Sequence, residues 1–468
     1  STYAQVDYLG IFDSHPFTVQ SCFALEMLPT EDQVMSAQKD LENVNETTPL
    51  KGQENKTFSW MSWRWFGPGI LVCLADTDAG CLIVAGQSGA RWKYSLLLMQ
   101  VLLIPPLFFA QELTIRLAIW TKKGHAACIK EHFGSFLGWA TTVVLVFECI
   151  LAIISEMSGF ASVAELWGVN RAIGTALASA LVIFVVLFCK YREVEAVGVA
   201  LGLFELAFVL SMFLLHPDPK EVFIGTFTFH TDSQYMKLVA ANIGAVIMPW
   251  MIYFQQSAVV ARRLTTKNDL VEERAQTLVG SCLTQLVMIG TLVTMAATPR
   301  RPEDLEHVSD MQVALEPVLG STVSKVLITC AFLGGSLCAT FVVALAASWA
   351  VCEAAEWDDL YSLDRSPSEA PRFYICFLSV VVIGALVLLS GVNIVQLNVF
   401  VELVDGLMMP VAVGFLFVLA CSDLLPEDVR VKGPYKYLLA VTFSVCGVIA
   451  VSSGLYGLYE DIWSLESS

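Results

Sequence analysis

Apolar runs of about bilayer length recur along the chain from about residue 66 to residue 458. A helix needs about 20 consecutive apolar residues to cross the hydrocarbon layer. On that length the pattern predicts eleven spans, at about 66–90, 94–119, 136–162, 172–190, 194–215, 237–261, 274–298, 323–351, 373–391, 394–421 and 437–458. The ninth and tenth are divided at a short Gly391-Val392-Asn393 turn, because the charge-free run from Phe373 to Val401 is too long for one crossing. Residues 1 to about 60 have another texture. They carry nine acids against three lysines and no long apolar run, which predicts a polar, mobile cytosolic tail ahead of one transmembrane domain over 61–460. Two Asn-x-Thr sequons, at Asn45 and Asn55, mean nothing on a cytosolic tail. The first apolar run starts too far along for a secretory leader.

Two of the spans are interrupted. The first carries Asp76-Thr77-Asp78-Ala79-Gly80 between the charge-free stretches Trp65–Ala75 and Ala79–Ala90. The sixth reads from Asn242 to Ala258 with Gly244 and Pro249 near its middle. Proline removes a backbone donor and clashes with the preceding turn. Gly/Pro-interrupted segments at corresponding places in two halves point to a transporter site, and spans one and six suit a five-plus-five inverted repeat with an eleventh helix appended. Unwound backbone frees carbonyls, which is tolerable in a bilayer only where they line a cavity or bind something. A helix ending near Asp76 adds its negative dipole end. Two carboxylates beside those carbonyls make a cation-seeking site, since buried charges cost several kcal/mol unless offset. The spans offer almost no Lys or Arg as partners, apart from Arg116 near the end of the second.

Composition supports this reading. The chain is 56% hydrophobic and 15% charged, against about 25% charged in a soluble domain. A net charge of −17 argues against nucleic acid as a partner. The 13 cysteines lie mostly in apolar stretches without a Cys-x-x-Cys pair, so no disulfide framework and no bound cofactor are expected. No motif for nucleophilic or phosphate chemistry is present, and an enzyme is not expected. With the tail inside, fourteen Lys and Arg flank the spans on the cytosolic side against eight outside. The positive-inside rule then sets a cytoplasmic N-terminus, and eleven crossings set an extracellular C-terminus, in a multi-pass protein of the cell membrane.

Three motifs carry a family resemblance. Trp65–Gly80, Ala110–Gly124 and Gly244–Ala258 resemble the first, second and sixth helices of the Nramp divalent-metal transporters. The resemblance runs from about residue 64 to the end of the eleventh span and implies an all-α, LeuT-like fold with broken helices one and six. Aligned from Gly67-Pro68-Gly69, Asp78 falls on the family's metal-binding Asp and Met248 on its metal-binding Met. Ala79 stands for its Pro, Cys81 for its metal-binding Asn and Trp250 for its His, while Asp76 is an extra acid. Glu156 falls near an acid of the family's proton route, whose expected companion is Gly159. Glu402 and Met408 stand where glutamines are usual. This combination resembles the prokaryotic Nramp-related magnesium transporters, which implies Mg2+ and Mn2+ carried without proton coupling.

The expected metal site comprises Asp76, Asp78, Ala245 through its carbonyl, Met248, Gln255, Glu402 and Asp405. Mg2+ keeps several waters and takes one or two carboxylates. Met248 weighs against it, because a thioether pointing at the ion favours softer metals. Glu402 and Asp405, at i and i+3, share a helix face and widen the acidic cavity. Glu148 and Glu156 lie on one side of the third span. All six histidines fall in the tail, loops or span ends, which argues against a histidine relay. The expected partners are a divalent ion and the bilayer, with the chain as a monomer. The alternatives are a proton-coupled Mn2+/Fe2+ symporter of the same fold, a sodium-coupled organic-solute symporter, and a non-transporting membrane receptor or sensor.

Overall fold

The structure is a computed structural model describing residues 67–299, 305–357, 365–390 and 393–466, without the side chains of 191, 192 and 460–466. The expected acidic tail over 1–60 and the turn at Gly391-Val392 lie outside the described residues. Among the described residues ten helices are long and apolar enough to cross a membrane, and a bent pair brings the spans to eleven. The first span is α1 (Pro68–Ala75) followed by α2 (Ala79–Trp92), at 51° to each other. The second is α3 (Leu97–Leu102) with α4 (Ile104–Thr121). A short α5 (His125–Phe133) precedes α6 (Ser135–Leu166) and α7 (Arg171–Phe188), the third and fourth spans. The fifth is α8 (Tyr191–Gly202) joined through a 3-10 turn at Leu203–Glu205 to α9 (Leu206–Leu214). After a short α10 (Pro219–Thr226), the sixth is α11 (Ser233–Gly244) with α12 (Pro249–Ala261), and the seventh is α13 (Lys267–Ala297). A short α14 (Val308–Leu319) leads to the last four spans, α15 (Ser321–Ala355), α16 (Pro371–Leu388), α17 (Ile394–Cys421) and α18 (Gly433–Glu466).

The boundaries follow from local chemistry. Asn170 and Asn393 cap α7 and α17, each accepting a backbone N–H through its side chain. Thr266 and Asp269 close a reciprocal capping box on α13. Pro68, Pro219, Pro249 and Pro371 each sit in a first turn, where the missing N–H costs nothing.

Burial sorts the spans into inner and outer. The apolar window of the sixth span is 94% buried and that of α7 only 17%. Leu177, Phe184 and Phe188 of α7 point outward, a face suited to lipid rather than water. Around the first break, α1 and α2 pack against α13 and α15, and α2 also against α6, α11 and α17. Both interrupted spans therefore run through the middle of the bundle.

Candidate metal site

The first break is built by its own residues. The α1 ladder ends with Asp76 N–H on Val72 O at 2.9 Å and Thr77 N–H on Leu74 O at 3.4 Å. The α2 ladder opens with Leu82 N–H on Asp78 O at 3.0 Å, so the carbonyls of Ala75, Asp76 and Thr77 accept no backbone hydrogen bond. Asp78 is the N-cap of α2 and accepts Cys81 N–H at 2.8 Å. Short polar side chains that satisfy nearby backbone groups offer the chain an alternative to the helix, which is why Asp-Thr-Asp melts it here. In the sixth span the ladder stops at Ala245–Met248, because Pro249 has no N–H to continue it.

Carboxyl groups gather at this level. Asp78, Cys81 and Glu402 each place a potential ligand atom within 4.8 Å of the others. Glu402 lies so close over Gly80 that a Cβ there would collide with its Oε1. Glu156 accepts Ala79 N–H at 3.4 Å, and Glu205 accepts the Thr77 hydroxyl. Asp76 is fully buried with neither carboxylate oxygen partnered. One oxygen each of Glu156, Glu205 and Glu402 is likewise unpartnered. The arginines at the bundle's end are occupied elsewhere. Arg116 donates to Glu112 and to Val429 O, both at 2.6 Å, Arg274 also binds Glu112, and Arg262 binds Glu195. A buried carboxylate without a partner costs several kcal/mol, so a cation or protons must offset this cluster.

The expected site residues divide. Asp78 and Glu402 meet at the break with Cys81, whose thiol donates to Ala245 O at 3.0 Å, and Asp76 lies in the same unwound segment two residues before Asp78. Met248 is the N-cap of α12, and its sulfur accepts Trp250 Nε1–H at 3.2 Å. Gln255 is engaged in helix packing, accepting the Thr114 hydroxyl at 2.7 Å and donating to Thr277 at 3.3 Å. Asp405 is buried with both oxygens unpartnered, outside the cluster of Asp78, Cys81 and Glu402. Cys81, which stands at the family's metal-binding Asn, places its sulfur beside the Asp78 and Glu402 carboxyls. Glu112, in the second span, is held by Arg116, Arg274 and the Tyr435 hydroxyl at 3.2 Å and is not free for an ion.

Two readings of the sequence, the missing companion of Glu156 and the lack of a histidine relay, have a physical form here. A side chain at Gly159 would collide with Ser336 Oγ and approach Ala79 Cβ to 2.8 Å, leaving no room for a companion acid to Glu156. His125, in the short α5, is completely buried, and burial pushes its pKa down to about 4 despite a 2.8 Å contact with Gln256. It stays neutral across the physiological range.

Residues 69–455 match the family description "Nramp: Natural resistance-associated macrophage protein-like". The chain belongs to this family. Among curated relatives, a divalent metal cation transporter MntH of Staphylococcus saprophyticus is 28% identical over 248 residues, 51% of this chain and 55% of that one. The MntH of Staphylococcus aureus is 26% identical over 311 residues, 62% of this chain and 68% of that one. The chain thus spans about half the length of the first curated relatives it matches. A manganese transporter of Eremococcus coleocola has the same fold, with TM-score 0.66 at 17% identity over 85% of this chain and 88% of that one. MhsT, solved with L-phenylalanine, follows at TM-score 0.57 and 14% identity over 85% and 99%. At these identities the likeness shows the fold alone: the Nramp chain has the expected LeuT-like, all-helical membrane architecture.

Proposed function

We propose that this chain carries divalent cations across the cell membrane by alternating access, with Mg2+ the preferred cargo and Mn2+ also accepted. The observation that carries this reading is the state of the donors at the break. Both sulfurs there are engaged within the protein, the Cys81 thiol on Ala245 O and the Met248 thioether under Trp250 Nε1–H. A thiol that donates its proton is not the thiolate a soft metal takes. The unpartnered donors are carboxylate oxygens and carbonyls, the hard ligands that suit Mg2+, which keeps part of its water shell. Relatives named as divalent metal cation transporters support the cation class.

The same reading makes transport uncoupled. The place beside Glu156 is filled by Ser336, and His125 does not titrate near neutral pH. The membrane potential alone supplies the drive, about 4.6 kcal/mol per 100 mV for a dication at about 2.3 per charge. The positive-inside bias puts the start of α1 in the cytosol. Proteoliposomes with internal Mg2+ and pH indicators test the proposal. We expect saturable, potential-dependent Mg2+ uptake, competed by millimolar Mn2+, without internal acidification. Proton influx tracking metal influx would instead mean a symporter. Uptake unchanged in Asp78→Ala would end the site assignment.

A further inference from the structure

The register of α6 against α17 brings a second pair of acids to one level of the bundle. As the third and tenth crossings of an alternating chain, these packed helices run antiparallel. Asn398 of α17 fixes their alignment, donating to Ser158 Oγ at 2.8 Å while its Oδ1 accepts the Ser155 hydroxyl. Seven residues return a helix to nearly the same face about 10 Å further on. Seven residues forward from Asn398 is Asp405, and seven back from Ser155 is Glu148. The register therefore brings the two residues to the same level of the packed helices, two turns beyond the Asn398 contact.

Among the described residues neither carboxyl forms an ion pair with a Lys or Arg, and the pair has almost no hydrogen bonds. Glu148 and Asp405 are 0% and 1% exposed. Both Asp405 oxygens and Glu148 Oε1 have no partner, and Glu148 Oε2 has only the Cys149 thiol at 3.7 Å. A single shared proton would satisfy two of these oxygens and leave the rest bare. A divalent ion with attached waters satisfies them all. Glu402, one turn earlier on the same face of α17, belongs to the cluster at the break, so the two groups adjoin along one helix.

We propose that Glu148 and Asp405 form a second cation station, receiving a divalent ion from the Asp78–Glu402 site on its way to the end of the bundle where α6 begins. The inference rests on the transport reading above and adds a relay to it. Crystals of the full chain grown with Mn2+ test it by anomalous scattering at the manganese edge, in wild type and in Asp78→Asn. We expect a peak between Glu148 and Asp405 in Asp78→Asn, absent when Glu148→Gln and Asp405→Asn are added. In proteoliposomes the Glu148→Gln/Asp405→Asn protein should lose about tenfold in maximal Mn2+ uptake, because a step after the first site is slowed. A wild-type peak beside Asp78 with none at this pair in Asp78→Asn would overturn the relay alone. No peak at either place would also overturn the transport reading. A protonated-carboxyl infrared band that persists at saturating Mn2+ and vanishes in Asp405→Asn would mean a shared proton instead. If the combined variant fails to fold, Asp405→Asn alone is read in the same way, since the two side chains have the same shape.

Discussion

Replacing Asp78 by Asn tests the electrostatics of the break with little change in shape. Asn is as good an N-cap as Asp, so the start of α2 keeps its hydrogen bond from Cys81 N–H. What is lost is charge. A dication about 5 Å from a carboxylate gains about 7 kcal/mol at an effective dielectric near 20. The same substitution removes repulsion from Glu402, whose ligand oxygen lies within 4.8 Å of that of Asp78. On the same scale that repulsion is about 3.5 kcal/mol. That repulsion is present with or without the ion, so it bears on metal-free stability and not on affinity, and the lost attraction of about 7 kcal/mol weakens binding by up to about 10^5-fold. Titrating the full chain in nanodiscs with Mn2+, read by electron paramagnetic resonance, measures the affinity. Melting without metal measures the other sign, because the metal-free protein should gain stability as repulsion falls. Weaker binding together with a higher metal-free Tm is the expected pair. Unchanged affinity, or a metal-free protein that melts lower, would refute the charge argument.

Trp250→Phe frees the Met248 sulfur and should raise the competition of Cd2+ against Mg2+ uptake about tenfold, with Mg2+ affinity changed less than twofold. Equal competition in both proteins would show that the sulfur was never masked. Gly80→Ala puts a methyl into the space of the Glu402 carboxyl and should cost about 1–3 kcal/mol of stability while weakening Mn2+ binding, measured by melting and titration. His125 is held neutral by burial, with a pKa near 4 against an ordinary 6.5. The unfolded chain therefore binds a proton in the window between those values and the folded chain does not. Stability is full above pH 6.5 and falls by about 3 kcal/mol as pH drops to 4. His125→Asn should flatten that part of the Tm profile relative to wild type.

The bundle was legible in the sequence because length and apolarity alone specify a crossing. The first break was legible because Asp-Thr-Asp has no reason to sit in hydrocarbon, and the second because Pro249 cannot continue a ladder. The short helices α5, α10 and α14 escaped a scan for long apolar runs, since each is too short to cross. Within the site, sequence spacing put Asp405 on the face of Glu402 but could not say which helix that face meets. Its neighbour, Glu148, follows from the Asn398 register, a property of packing between residues some 240 positions apart. Gln255 reads as a ligand from its place two turns past the break, yet Thr114 and Thr277 claim it once the second and seventh spans are in place. Met248 posed a conflict between soft and hard metals, which turns on the orientation of one indole N–H.

At the break, Asp76, Asp78, Glu402 and Met248 are each at most 1% exposed. On the transport proposed above, a site so closed off from water has no conductance of its own. Cargo would pass only when the surrounding helices part, so flux would saturate, rise steeply with temperature and be counted in single ions per excursion of the helices, a carrier's arithmetic and not a pore's.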